Sequence, residues 1–294
     1  MSEALAEVFR SALRLDCDER GFMLAAVGVP STIEFDAEQF LLLVEAADAQ
    51  RALLHLRQYE AESRPVPPLP PPPQPFAYAW LGCLLYGTVL VGVGYAVSNG
   101  LWRLDAFELG ELDARRVQSG QWWRAWTALT LHLDSAHLAA NLGAGVWFGY
   151  LAARQIGSGT AWLLIVSGAA LANLFEAQFG PGSHRAVGAS TAVFSALGLL
   201  AAHSWRTRSH LSQRWASRWA PLVGGAVLLG WLGTAGEGVD IVAHALGFVA
   251  GCLLGAGVAL RAVERALRAV PQWLAGLAAL SSIGIAWACA LSSG

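Results

Sequence analysis

From residue 76 onward the chain is a succession of long apolar runs, and these constrain its fold more than any other feature. A helix needs about 20 apolar residues to cross the hydrocarbon core of a bilayer. Seven segments approach that length: 76–97, 136–153, 161–179, 187–203, 221–232, 239–260 and 273–291. The fifth is short, and extending it back to Trp215 or Trp219 completes it. Backbone polar groups in lipid must be satisfied within the segment, so the runs predict helices. With 55% hydrophobic and only 14% charged residues, the composition fits many spans and not an ordinary soluble domain. Thirteen Trp residues suit a protein with two membrane interfaces to anchor.

Residues 1–64 differ. Ala4–Leu15 has helical apolar spacing. Phe22–Val29 and Phe40–Val44 are strand-length apolar runs separated by the break Pro30-Ser31-Thr32. Ala46–Glu62 has the pattern of an amphipathic helix. This predicts a small soluble α+β domain without a catalytic grouping, suited to docking a cytoplasmic partner. Residues 65–75 are almost all proline, which favours extended polyproline II and makes a stiff spacer. The expected organisation is therefore a soluble domain at 1–64, a linker at 65–75 and a membrane domain at 76–294.

Several classes are disfavoured. The net charge of −2 gives no global field for nucleic acid. Cys17, Cys83, Cys252 and Cys289 are scattered, with no disulfide framework or CxxC pair. There is no HExxH, so no metal or cofactor is expected. The polar N-terminus lacks a basic stretch followed by a short apolar core, so no cleaved signal peptide is expected. A transporter would show paired intramembrane charges and internal repeats, and neither is found.

Every basic side chain of the Lys/Arg class is Arg. Arg154, Arg206, Arg208, Arg214, Arg218, Arg261, Arg265 and Arg268 fall in loops on the same side as residues 1–75. Arginine-rich short loops stay cytoplasmic, which puts the N-terminus inside and the C-terminus outside. Arg103, Arg115, Arg116 and Arg124 in the first outer loop run against this pattern. That loop, 98–135, also carries Trp102, Phe107, Leu109, Trp122, Trp123 and Trp126, so it is expected to dip into the headgroup region and be partly structured.

Polar residues inside spans are costly and normally face protein or a wet cavity. Four need an explanation: His137, Asn141, Ser190 and His244. On the inferred topology, three different spans bring them to nearly the same depth near the outer face. His137 and Asn141 are i,i+4 and share a helix face. Gly247 and Gly251 lie on the His244 face, and Gly188 and Gly198 flank Ser190, so a close approach of the fourth and sixth spans is expected. Taken singly, Ser190 reads as helix-packing glue and a histidine at a span end as interfacial. Together they read as an activated nucleophile: neutral His244 takes the Ser190 proton, while His137, Asn141 and the Ser190 backbone N–H offer oxyanion donors. Glu176 and Asp240 are read as interfacial charges.

These residues resemble the rhomboid family of intramembrane serine proteases. Trp123-Arg124 resembles its Trp-Arg motif, and His132, His137 and Asn141 its histidine- and asparagine-bearing second span. Gly188-Ala189-Ser190 resembles the start of its Gly-x-Ser-Gly motif. Ala243-His244 through Gly247 to Gly251 resembles its Ala-His-x-x-Gly-x-x-x-Gly motif. The resemblance implies an all-α multi-spanning fold, with a six-helix core over about 76–260 and one extra C-terminal span at about 273–291. It implies a Ser190–His244 dyad, an oxyanion hole from His137 and Asn141, and Phe194 packed against the catalytic histidine. It further implies transmembrane protein substrates and a multi-pass location, such as a bacterial inner (plasma) membrane. Thr191 stands where the family usually has glycine, and Ala153 and Arg154 stand where a glutamate is frequent, though Gly157 is retained. An inactive relative that binds transmembrane clients is the alternative.

Overall fold

The structure, a computed structural model, describes residues 4–63, 75–101, 105–208, 215–233 and 240–293. The linker expected at 65–75, apart from Pro75, lies outside these, as do Trp102, Arg103, Arg214 and residues 234–239 of the last outer loop. The chain divides into two compact units, residues 1–71 and 72–294.

The first unit contains β1 (Leu5–Ser11), α1 (Arg14–Ala26), β2 (Ser31–Asp36), β3 (Gln39–Glu45) and α2 (Ala49–Glu62). The sheet is antiparallel with order β1-β3-β2. Leu42 and Val44 alternate inward from β3, as the period-2 geometry of a strand requires, and meet Val8, Cys17, Leu24, Ala52 and Leu56 in the core. The α+β class agrees with expectation, and so do β3 and α2. Two pieces differ. Residues 5–11 form a strand instead of a helix, and Phe22 lies inside α1 instead of a strand. The reason is a narrow helix face. Cys17, Gly21 and Leu24 recur at i, i+4 and i+7, and Gly21 is so close to the sheet that a Cβ there would stand 3.3 Å from Ser31 Oγ. A stripe containing a glycine is invisible when only large apolar residues are counted.

In the second unit each apolar run coincides with a helix: α3 (Ala79–Ser98), α7 (Ser135–Ile156), α8 (Ser158–Phe179), α9 (Ser190–Arg208), α10 (Trp215–Gly233), α11 (Ile241–Val258) and α13 (Gln272–Ser292). Among the described residues α3, α8, α11 and α13 are long and apolar enough to cross a membrane, which makes this a multi-pass membrane protein. The other three are as long but more polar: α7 carries His137, Asn141 and Arg154, α9 carries Ser190, Ser195 and His203, and α10 opens on Trp215, Ser217 and Arg218. The short amphipathic α12 (Arg261–Ala269) links α11 to α13 and has no buried residue.

Small residues set the packing. Gly82 and Gly149 both lie against the Trp162 ring, and Tyr86 stacks on Trp162 at 4.7 Å, which joins α3, α7 and α8. The Gln272 carboxamide grips the start of α8, accepting from Thr160 N–H and donating to Thr160 Oγ1, both at 3.1 Å. At the other end of α13, Trp287 Nε1 donates to Thr130 Oγ1 at 3.0 Å.

The described part of the segment between α3 and α7 contains regular structure, in line with the partly structured loop expected from its aromatic content. It forms α4 (Ala106–Gly110), β4 (Leu112–Asp113), α5 (Ala114–Gln118), α6 (Arg124–Thr127) and a 3-10 turn at Ala128–Thr130. β4 pairs antiparallel with β5 (Arg185–Ala186), tying this segment to the loop that leads into α9. Asp105, Asp113 and Asp134 cap α4, α5 and α7 by accepting first-turn backbone N–H groups.

Candidate active site

The site is built where α9 and α11 begin. The two helices run parallel and nearly touch. Each glycine of α11 that faces α9 meets a backbone carbonyl: Gly247 meets Thr191, Gly251 meets Ser195 and Gly255 meets Leu199. In return Gly198 of α9 meets the Phe248 carbonyl. Side chains at these positions would hold the helices apart. The reciprocal seam fixes the register, so that Ser190 at the start of α9 and His244 in the first turn of α11 lie at one level. The His244 ring lies 4.4 Å from that of Phe194, one turn beyond Ser190. Both rings are buried, whereas Ser190 is half-buried.

The first turns of α7 close the other side. Gly188 has φ +133°, a conformation that disfavours L side chains. The His137 ring occupies the space beside it: a Cβ on Gly188 would stand 2.8 Å from His137 Cε1 and 3.7 Å from Ser190 Oγ. His132 packs edge-on to His137 at 5.1 Å, and its Nε2 accepts from Ala189 N–H at 3.4 Å. Burial, and then the neighbouring His137, lower the His132 pKa to about 4, so at neutral pH it is the acceptor this bond requires. Asn141 is buried one turn deeper. Its Nδ2 donates to the His137 carbonyl at 3.1 Å, and its own carbonyl accepts from Tyr86 OH at 2.9 Å.

The structure thus brings His132, His137, Asn141, Gly188, Ser190, Phe194, His244 and Gly247 to one end of the bundle, with Gly251 a turn below. Trp123 and Arg124 serve a different purpose. Arg124 is buried, and its guanidinium donates to Gln121 Oε1 (2.7 Å) and to the carbonyls of Glu111 (2.8 Å) and Glu108 (2.7 Å). It latches the segment between α3 and α7. Trp123 packs with Ala106, Leu131 and Trp287.

The reading of Glu176 and Asp240 as interfacial charges is corrected. Glu176 is only 4% exposed and faces His184 in the loop before α9, and His184 in turn faces Asp240. Folding brings Asp240 from far along the chain to Glu176 and His184, and no spacing in the sequence marks the three. Thr191 is buried with its methyl group toward Gly247, so the extra bulk relative to glycine turns into the helix seam.

A helical membrane bundle with a serine, histidines and an amide gathered at one end is the class of protein defined so far. Residues 119–261 match the rhomboid domain, a stretch that includes the whole of this site. It is distantly homologous to the rhomboid protease GluP of Bacillus subtilis (strain 168), with 28% identity over 200 residues, 68% of this chain. The matched part spans about a third (35%) of the length of GluP. A second Bacillus subtilis protein, YdcA, is 26% identical over 161 residues, covering 54% of this chain and 76% of YdcA.

Proposed function

We propose that this protein is an intramembrane serine endopeptidase that cleaves transmembrane proteins in or near their membrane segments. The observation that carries the reading is the glycine seam between α9 and α11, with Thr191 against Gly247 and Phe194 against His244. In this reading Ser190 Oγ attacks the scissile carbonyl carbon and its proton passes to neutral His244. The negative oxygen of the tetrahedral intermediate accepts from the Ser190 N–H, from Asn141 Nδ2 after it leaves the His137 carbonyl, and from His137. His244 then protonates the leaving amine, and water repeats the sequence to release the acyl product. The half-exposed Ser190 and the polar first turns around it let water reach this level.

The seven long helices are all spans in this reading. The arginine distribution puts residues 1–75 in the cytoplasm and the C-terminus outside, and opposite signals from reporters fused at the two ends check it. In this reading the α+β unit serves to dock a cytoplasmic partner. A serine-directed activity probe tests the chemistry. The wild type should label at Ser190 and cut a single-span substrate, and Ser190→Ala should do neither. A wild type that does neither, under conditions where GluP is active, would favour a client-binding protein instead.

A further inference from the structure

We propose that Glu176, His184 and Asp240 form a binding site for a divalent cation of the zinc class. Glu176 lies in the last turn of α8, His184 in the following loop, and Asp240 at the N-cap of α11. His184 Nε2 lies 3.2 Å from Asp240 Oδ2 and 3.6 Å from Glu176 Oε1, and one ligand atom from each residue lies within 4.8 Å of the other two. Zinc holds carboxylate oxygen and imidazole nitrogen at about 2.0–2.2 Å, so tetrahedral ligand atoms sit roughly 3.3–3.6 Å apart. One separation falls in that range and the other just below it, and the third is no more than 4.8 Å.

The electrostatics ask for a cation. Glu176 is 96% out of contact with solvent, and its Oε2, Asp240 Oδ2 and His184 Nε2 are buried atoms without a hydrogen-bond partner, although they face one another. A buried carboxylate such as Glu176 is costly unless paired, and the one imidazole beside it also faces the half-buried Asp240. The adjacent Arg185 is engaged elsewhere, on Glu111 at 3.0 Å and Asp113 at 3.3 Å. Asp240 is already positioned, because its Oδ1 accepts from Ala243 N–H at 3.0 Å and leaves Oδ2 for a ligand role. One imidazole with two carboxylates suits zinc better than calcium or magnesium, which favour all-oxygen shells. A bound cation would fasten the end of α8 and the loop entering α9 to the first turn of α11, where the Asp240 carbonyl also accepts from His244 N–H at 3.1 Å.

The test uses the full-length, tag-free protein in detergent, stripped with EDTA, desalted and titrated with ZnCl2. Bound zinc is measured by mass spectrometry and the unfolding midpoint by tryptophan fluorescence. One equivalent bound, with a midpoint that rises with zinc, is expected, because a ligand held by the folded state alone stabilises it. His184→Gln and Glu176→Gln should each weaken binding by about tenfold or more and abolish the zinc-dependent rise. Asp240→Asn, which retains the N-cap acceptor, keeps the test open if a change at buried Glu176 prevents folding. No stoichiometric binding, or unaltered binding in a folded variant, would overturn the proposal. So would a wild-type midpoint that does not respond to zinc.

Discussion

The carbonyl oxygen of Thr191 faces the bare Cα of Gly247, so closely that a Cβ built there would stand 2.5 Å away. This is backbone against backbone, and no rotamer change relieves it. Gly247→Ala must therefore push α11 from α9, at a cost of about 1–3 kcal/mol, and shift His244 relative to Ser190. Gly257, ten residues further along α11, has open space around it. Gly257→Ala is thus the matched control. Midpoints in detergent and probe labelling should both fall for Gly247→Ala and hold for Gly257→Ala. Equal behaviour of the two variants would remove the seam from the account.

Asn141 offers a sharper test of the chemistry. Its side-chain N–H donates to its own helix, so it must turn to serve an oxyanion. Losing one such donor costs about 10²–10³ in turnover. Asn141→Ala should fall by that factor with KM little changed, while Ser190→Ala loses everything. An unchanged turnover number would leave the Asn141 amide with a structural role only.

Arg124 is expected to act on stability. Its fork serves one side-chain oxygen and two backbone carbonyls on separate parts of the α3–α7 segment. Arg124→Ala removes three charge-assisted hydrogen bonds made by a buried guanidinium and should cost about 2–3 kcal/mol. Arg124→Lys should recover little, because a single ammonium cannot span three dispersed acceptors. Thermal unfolding of the two variants checks this, and full rescue by Lys would show that charge alone matters.

The membrane helices were legible because lipid imposes one rule on every span, and each apolar run became a helix. Their relative placement was legible only where glycines marked it, as at Gly247 and Gly251. The first unit was harder to read. Val8 and Phe9 fit a helix or a strand equally until pairing with β3 decides, and Gly21 hides the buried face of α1. The Glu176–His184–Asp240 group was out of reach because its members come from three elements with no shared spacing. Arg124 carried a motif, but a motif cannot say whether a residue touches substrate or holds a loop. Its three hydrogen bonds do.

His132 ties the site to pH. It accepts from Ala189 N–H, one residue before Ser190, and burial lowers its pKa to about 4. In the unfolded chain an ordinary histidine titrates near 6.5. Between those values the unfolded chain binds a proton at this position that the folded chain refuses, so stability rises with pH across the window. The contribution is complete above about pH 6.5 and is lost as pH falls toward 4. With partial exposure discounted it is on the order of 1–2 kcal/mol. The wild-type unfolding midpoint should therefore drop on acidification through this range. In His132→Gln, whose amide oxygen can still accept from Ala189, the drop should be smaller by that amount. Parallel curves for the two proteins would mean that His132 titrates alike folded and unfolded, and that its bond to Ala189 does not depend on a neutral ring.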